Sequence, residues 1–176
     1  MSKLLLHACC APCTTYVHRW LMENDFEVEG LFYNPNIRPE SEYQKRLATM
    51  QVYSAAVGLK VRYEPSDRTI EPENCEDCYR IRLEKTAHLA SLNGYQYFST
   101  TLLISPYQKH ELLKKVGEEV AEEYGVPFYY RDFREGYYES RRLAQAMQLY
   151  RQKYCGCKPR EEKMKGEKYA QIGQFA

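Results

Sequence analysis

No stretch of this 176-residue sequence approaches the roughly 18 consecutive apolar residues that a membrane-spanning helix needs. The apolar opening, Leu4-Leu5-Leu6, is too short for the core of a secretory signal. A cytoplasmic location without a membrane partner is therefore expected. Charge of one sign is also missing, since 25 basic and 24 acidic residues leave +1. That balance argues against an extended nucleic-acid groove but leaves room for a local basic face. There is no internal repeat, low-complexity segment or linker. Glycine is absent where a phosphate loop would need it. The segment after the first predicted strand is Cys9-Cys10-Ala11-Pro12-Cys13, so an ATP-using enzyme of the pyrophosphate-loop type is disfavoured.

What remains is a globular composition, with 44% hydrophobic residues in a length that suits one domain over 1–176. The 17 tyrosines are scattered and read first as packing, although bases could stack on some. Tyr53, Tyr63, Tyr97, Tyr129 and Tyr130 read as core or rim positions.

Strand and helix patterns alternate. Strands are expected over 3–8, 27–33, 60–64, 95–100 and 126–130. Helices are expected over 14–23, from Ser41 to Val57, from about 76 to Asn93, from Ser105 to Tyr124, and over 138–153. Gly58, Gly94 and Gly125 stand where helices should end. Strands alternating with helices predict an α/β fold, a parallel sheet flanked by helices in the Rossmann-like manner. Ligands of such sheets bind at the carboxyl ends of the strands. The first strand ends at His7-Ala8-Cys9-Cys10, which places a metal site there.

Cysteine is the residue the sequence concentrates. Seven cysteines fall into three groups, Cys9, Cys10 and Cys13, then Cys75 and Cys78, then Cys155 and Cys157. An odd number leaves one thiol over from any fully paired disulfide framework, and a reducing cytoplasm favours metal or redox chemistry. Two groups carry CxxC spacing, which turns two thiolates toward one metal, and both sit at predicted helix starts. There the helix dipole favours the thiolate, the metal-binding form. Zinc takes four ligands and would leave about three cysteines over. A cubane iron–sulfur cluster also takes four, and the surplus then allows a second metal or a redox dithiol able to form a disulfide bond. Iron–sulfur, zinc and thiol–disulfide readings all stay open at this level. Asp77, inside the second pair, is either an oxygen ligand or a helix-start acid. His7 is either a proton donor or a satisfied buried histidine. His18, His88 and His110 read as packing or surface residues.

The His7–Cys13 motif, Cys75-Glu76-Asp77-Cys78 followed by Tyr79, Ser105-Pro106-Tyr107 and Cys155-Gly156-Cys157 together resemble the cobalamin-independent epoxyqueuosine reductases of the QueH type. The resemblance runs in order along essentially the whole chain. It implies an oxidoreductase of queuosine biosynthesis that reduces an epoxide on a modified tRNA base to an alkene. It further implies a [4Fe–4S] cluster beside a mononuclear iron. By position, Cys9, Cys10, Cys75, Cys78, Cys155 and Cys157 become cofactor-binding candidates, with Cys13 and Asp77 completing the metal ligands. Asp77, His7 and Tyr107 become catalytic candidates, and Tyr79 a further proton source. The implied partner is tRNA through its anticodon stem-loop, together with an electron donor that the residues do not name. Candidate phosphate contacts are Arg141, Arg142, Arg151, Lys153, Lys158, Arg160, Lys163 and Lys165, interrupted by Glu161 and Glu162. The alternatives are another iron–sulfur or zinc-dependent tRNA-modifying protein, or a thiol–disulfide redox protein.

Overall fold

In β1 (Ser2–His7), Leu4, Leu5, Leu6 and His7 are buried in succession. Successive strand side chains point to opposite faces, so burial without alternation means that both faces are covered. The computed structural model describes residues 1–65 and 67–157. Its sheet holds four strands, β1, β2 (Phe26–Phe32), β3 (Val61–Tyr63) and β4 (Tyr97–Thr100), in the order β3-β2-β1-β4. All three pairings are parallel, and His7 is in register with both Leu31 and Thr100. The chain moves outward from β1 to β3, then returns to β1's other side with β4. The strand order therefore reverses between β1 and β4, the place where open parallel sheets receive ligands.

Among the described residues, five α-helices flank the sheet: α1 (Ala11–Glu23), α2 (Glu40–Val57), α3 (Cys75–Leu92), α4 (His110–Tyr124) and α5 (Tyr137–Ala146). Helix α1 packs against α5 and α2, and α3 packs against α4. Gly58 and Gly125 close α2 and α4 with φ near 70°, a conformation that costs a residue with a Cβ. The main core joins Leu4, Leu6, Val17, Leu83, Phe98 and Leu103, all fully enclosed. Truncating one of these leucines to Ala costs about 2–5 kcal/mol.

Three expectations are corrected. Residues 126–130 do not form a fifth strand. Phe98 and Phe128 make an isolated bridge, through Phe98 N–H to Pro127 O (3.1 Å) and Tyr129 N–H to Phe98 O (2.8 Å). Pro127 has no N–H to extend the ladder. The helix expected from Ser105 starts at His110. Residues Thr101–Ile104 form a 3₁₀ turn, and Ser105–Lys109 is a turn in which Ser105 Oγ accepts from Tyr107 N–H. The last helix stops at Ala146 instead of 153. Gln148 takes φ 55°, and Leu149 N–H bonds back to Ala144 O. This early stop turns residues 149–157 back across the carboxyl edge of the sheet.

Among the described residues, no helix is long and apolar enough to cross a membrane.

Candidate metal centre

Strand β1 ends at His7, and α1 begins with Cys10 as its N-cap and Pro12 in its first turn. Proline suits that position, because the first helical N–H groups have no partner within the helix. This tight strand-to-helix turn gathers Cys9, Cys10 and Cys13, whose sulfurs lie within 4.8 Å of one another. Cys10 and Cys13 are buried, at 1% and 3% exposure. The Cys9 thiol donates to Cys10 Sγ (3.7 Å), and Gln152 Nε2 donates to the same sulfur (2.7 Å). Thr101, just past β4, accepts from Cys9 N–H (3.0 Å) and donates its hydroxyl to Cys9 Sγ (3.1 Å). The thiols thus sit at the β1/β4 switch point, pinned from both strands.

Their protonation is shared. Burial raises the Cys10 thiol, but hydrogen bonds from Cys13 and Cys9 and the Arg46 charge outweigh it and hold Cys10 well below its usual value. The same hydrogen bonding pushes Cys9 up to about 12 and Cys13 well above its ordinary range. Among the three thiols, Cys10, at the positive end of α1, is the one whose thiolate is favoured. Cys9, Cys10, Cys13, Cys75 and Cys78 form no disulfide among the described residues, and the Cys155 and Cys157 sulfurs lie 3.3 Å apart.

The second CxxC pair occupies the first turn of α3, capped by Asn74, whose Oδ1 accepts from Asp77 N–H (2.9 Å). Arg82 donates to Cys78 Sγ (2.9 Å) and Asn36 Nδ2 lies 3.5 Å from the same sulfur. Arg82 also reaches Asn34 Oδ1 (3.3 Å), and Asn34 Nδ2 donates to Ala8 O (3.0 Å). A continuous set of hydrogen bonds thus ties the α3 cysteines to the end of β1. Asp77 is half-buried beside them.

The returning segment brings in the third group. Buried Arg46 pairs with Glu42 (2.9 Å) and donates to Tyr154 O (2.8 Å) and Cys155 O (3.1 Å). Arg38 N–H donates to Gly156 O (2.6 Å). A cavity of about 60 Å³ lies between this segment and the thiols. Its lining includes Cys9, Cys13, Cys155, Tyr107, Gln108, Tyr137, Arg141 and Gln152.

His7 is fully buried, with Nδ1 against Thr100 Oγ1 (2.9 Å) and Nε2 against Tyr33 O (3.1 Å) and Asn34 Oδ1 (3.2 Å). Burial, assisted by the Arg82 charge, lowers its pKa to about 3, so the ring is neutral. Tyr79 donates to Gln108 Oε1 (2.7 Å) and accepts from Lys109 N–H (2.9 Å). Burial pushes its phenol up, and the neighbouring Cys75, Cys78 and Cys155 push it further. Tyr107 faces the cavity, with burial raising it to about 12.

Of the expected phosphate contacts, Arg141 lines the cavity instead of the outer surface. Arg142 is exposed and paired with Glu139, Lys153 is exposed and Arg151 is half-buried. Lys158, Arg160, Lys163 and Lys165 lie outside the described residues. His18 bonds Tyr53 OH (3.0 Å), His88 packs edge-on to Tyr124 and His110 reaches Ser105 O (3.1 Å).

Sequence reasoning missed Arg46, Arg82, Gln152, Asn34 and Asn36. A Glu42/Arg46 pair four residues apart reads as an ordinary exposed helix pair, and no local signal marks Gln152.

Such a molecule is an α/β protein whose switch point carries a buried thiol cluster able to hold a metal ion. The family model described as "Epoxyqueuosine reductase QueH" matches residues 4–163. The chain belongs to this family of oxidoreductases. It is similar to proteins named Epoxyqueuosine reductase QueH from several bacteria. The relative in Dehalococcoides mccartyi is 43% identical over 164 residues, covering 88% of this chain and 90% of the relative. The relative in Thermotoga maritima is 38% identical over 177 residues, 89% of each chain. The relative in Staphylococcus epidermidis is 33% identical over 178 residues, 88% of this chain and 74% of the relative.

Proposed function

We propose that this chain reduces the epoxide of epoxyqueuosine in tRNA to the alkene of queuosine. The observation that carries the reading is the buried Cys9–Cys10–Cys13 cluster at the sheet's switch point, opening onto a small cavity in a chain of this family.

The donor set fits a thiolate-ligated iron centre. Three sulfurs meet within 4.8 Å, and thiolate is a soft donor suited to iron–sulfur ligation. Cys9, Cys10, Cys13, Cys75, Cys78, Cys155 and Cys157, with Asp77 as the oxygen donor, would hold a [4Fe–4S] cluster and a single iron. When bound, these groups supply the two electrons of the reduction and a Lewis-acid contact for oxygen.

The protein's own residues supply the rest. Opening and removing the epoxide oxygen as water consumes two protons. Tyr107 faces the cavity and keeps its proton across neutral pH, so it is our candidate donor. Tyr79 holds Gln108 at the cavity wall. His7, neutral and with both ring nitrogens engaged, fixes the β1 end against β4 and Asn34. The polypeptide around the thiols excludes bulk water, which protects the reducing centre from side reactions. The anticodon base has to leave its stack to reach the cavity.

The test is anaerobic purification with iron and sulfide analysis, followed by an assay on tRNA carrying epoxyqueuosine. More than about four irons per chain, with sulfide and thiolate absorption, and conversion to queuosine are expected. A colourless protein with about one zinc and no sulfide would overturn the iron reading. A fully loaded protein inactive on that tRNA would overturn the substrate.

A further inference from the structure

Arg141 projects from α5 into the cavity beside Cys9 and Cys13. Its guanidinium lies 4.8 Å from the Tyr137 ring centroid. Its Nε and Nη1 atoms are buried and have no hydrogen-bond partner among the described residues. Gln152, which lines the same cavity, gives its Nε2 to Cys10 Sγ and leaves Oε1 buried and unpartnered. Orphaned buried polar atoms are rare and costly in native proteins. Here two such donors and one such acceptor belong to side chains that line one small cavity.

The set selects a ligand class. A phosphodiester oxygen accepts hydrogen bonds but cannot donate to Gln152 Oε1. A hydroxyl does both, accepting from Arg141 and donating to Gln152. About 60 Å³ admits the oxygen-bearing edge of a small ring but not a whole nucleotide. We infer that this cavity is a subsite for a neutral, hydroxyl-bearing ring, with Arg141 donating to its oxygens and Gln152 Oε1 accepting from them. This rests on the proposed function and deepens it, since the cyclopentane diol of the modified base has that chemistry. Arg141 is thereby reassigned from the phosphate backbone to the reacting ring.

The test is equilibrium binding of two anticodon stem-loop RNAs, one carrying queuosine and one guanosine, to the metal-loaded protein and to Arg141→Met and Arg141→Lys. The wild type is expected to prefer the queuosine RNA by about 10- to 100-fold, the scale of charged hydrogen bonds to one group. Arg141→Met is expected to lose that preference, with affinity for the guanosine RNA and iron and sulfide content unchanged. Arg141→Lys, which keeps the charge, is expected to keep part of it. Retention of the full preference by Arg141→Met would overturn the inference, as would loss of its iron. Competition by inorganic phosphate that depends on Arg141 would also overturn it. An inactive wild type that still prefers the queuosine RNA would sink the reductase reading and leave the subsite standing. An active wild type without the preference would do the reverse.

Discussion

Two CxxC pairs open two helices of this molecule, and they differ in every other respect. Cys10 is the N-cap of α1 and Cys13 lies in its first turn, both enclosed. Cys75 is the first residue of α3, after the Asn74 cap, and both its cysteines are half-buried. A shift of one helical position, with different neighbours, separates the two. The α1 pair bonds chiefly to other sulfurs and to Gln152 from the distant return segment. On α3, Cys78 is held by Arg82 and Asn36, residues of its own side of the site. Equal spacing brings two sulfurs to one side of a helix. Helix register and packing decide how deeply they lie and what charge faces them.

The sharpest way to break the contrast is Cys13→Ala. On the ligand set proposed above, loss of this buried thiol is expected to exceed the roughly 10- to 100-fold effects of outer partners, with matching loss of iron and sulfide. Activity on modified tRNA and metal analysis check it. Equal metal content in the variant would remove Cys13 from the ligand set.

Arg46→Met acts on the clamp over both regions. It leaves Glu42 buried without its cation and frees the Tyr154 and Cys155 carbonyls. A destabilisation of about 3–5 kcal/mol is expected in urea unfolding. Stability within about 1 kcal/mol of wild type would show that the pair relaxes into water.

Arg82→Met affects the α3 pair alone. Removing a cation bonded to Cys78 Sγ is expected to weaken iron retention about 10- to 100-fold in chelator competition. It should also make the reduction potential more negative, because the positive charge favours the reduced centre. Unchanged values in spectroelectrochemistry would detach Cys78 from the metal.

The smallest effect lies further along α1. Burial lowers the pKa of His18, which bonds Tyr53 there. The unfolded chain takes up a proton below about 6.5 that the folded ring resists. This contribution to stability is therefore present above that pH and is lost as pH falls toward the lower folded value, by at most about 1.4 kcal/mol per pH unit. Unfolding midpoints at pH 7.5 and 5.5 should show the loss in wild type and a flatter response in His18→Gln.

Much of the fold was legible because local signals agree with tertiary demand. Leu4-Leu5-Leu6 is a strand buried on both faces, and Gly58 and Gly125 stand where helices must reverse. The misses have local causes. The apolar run at 126–130 reads as a strand, but Pro127 cannot extend the ladder. The helical pattern after 138 continues past the point where the chain leaves the helix at Gln148.

The sequence by itself determined the α/β alternation, the cysteine groups at two helix starts and the place of the first group at the end of β1. These depend on periodicity and on side chains close in the chain. Only the tertiary structure decided that Gln152 meets Cys10 across 142 residues and that Arg46 clamps Cys155 across 109. The same holds for Arg141, which turns inward instead of toward solvent. Such partners carry no local signature, because a buried cation or amide is selected by the polar groups around it, and these come together only when the chain has folded.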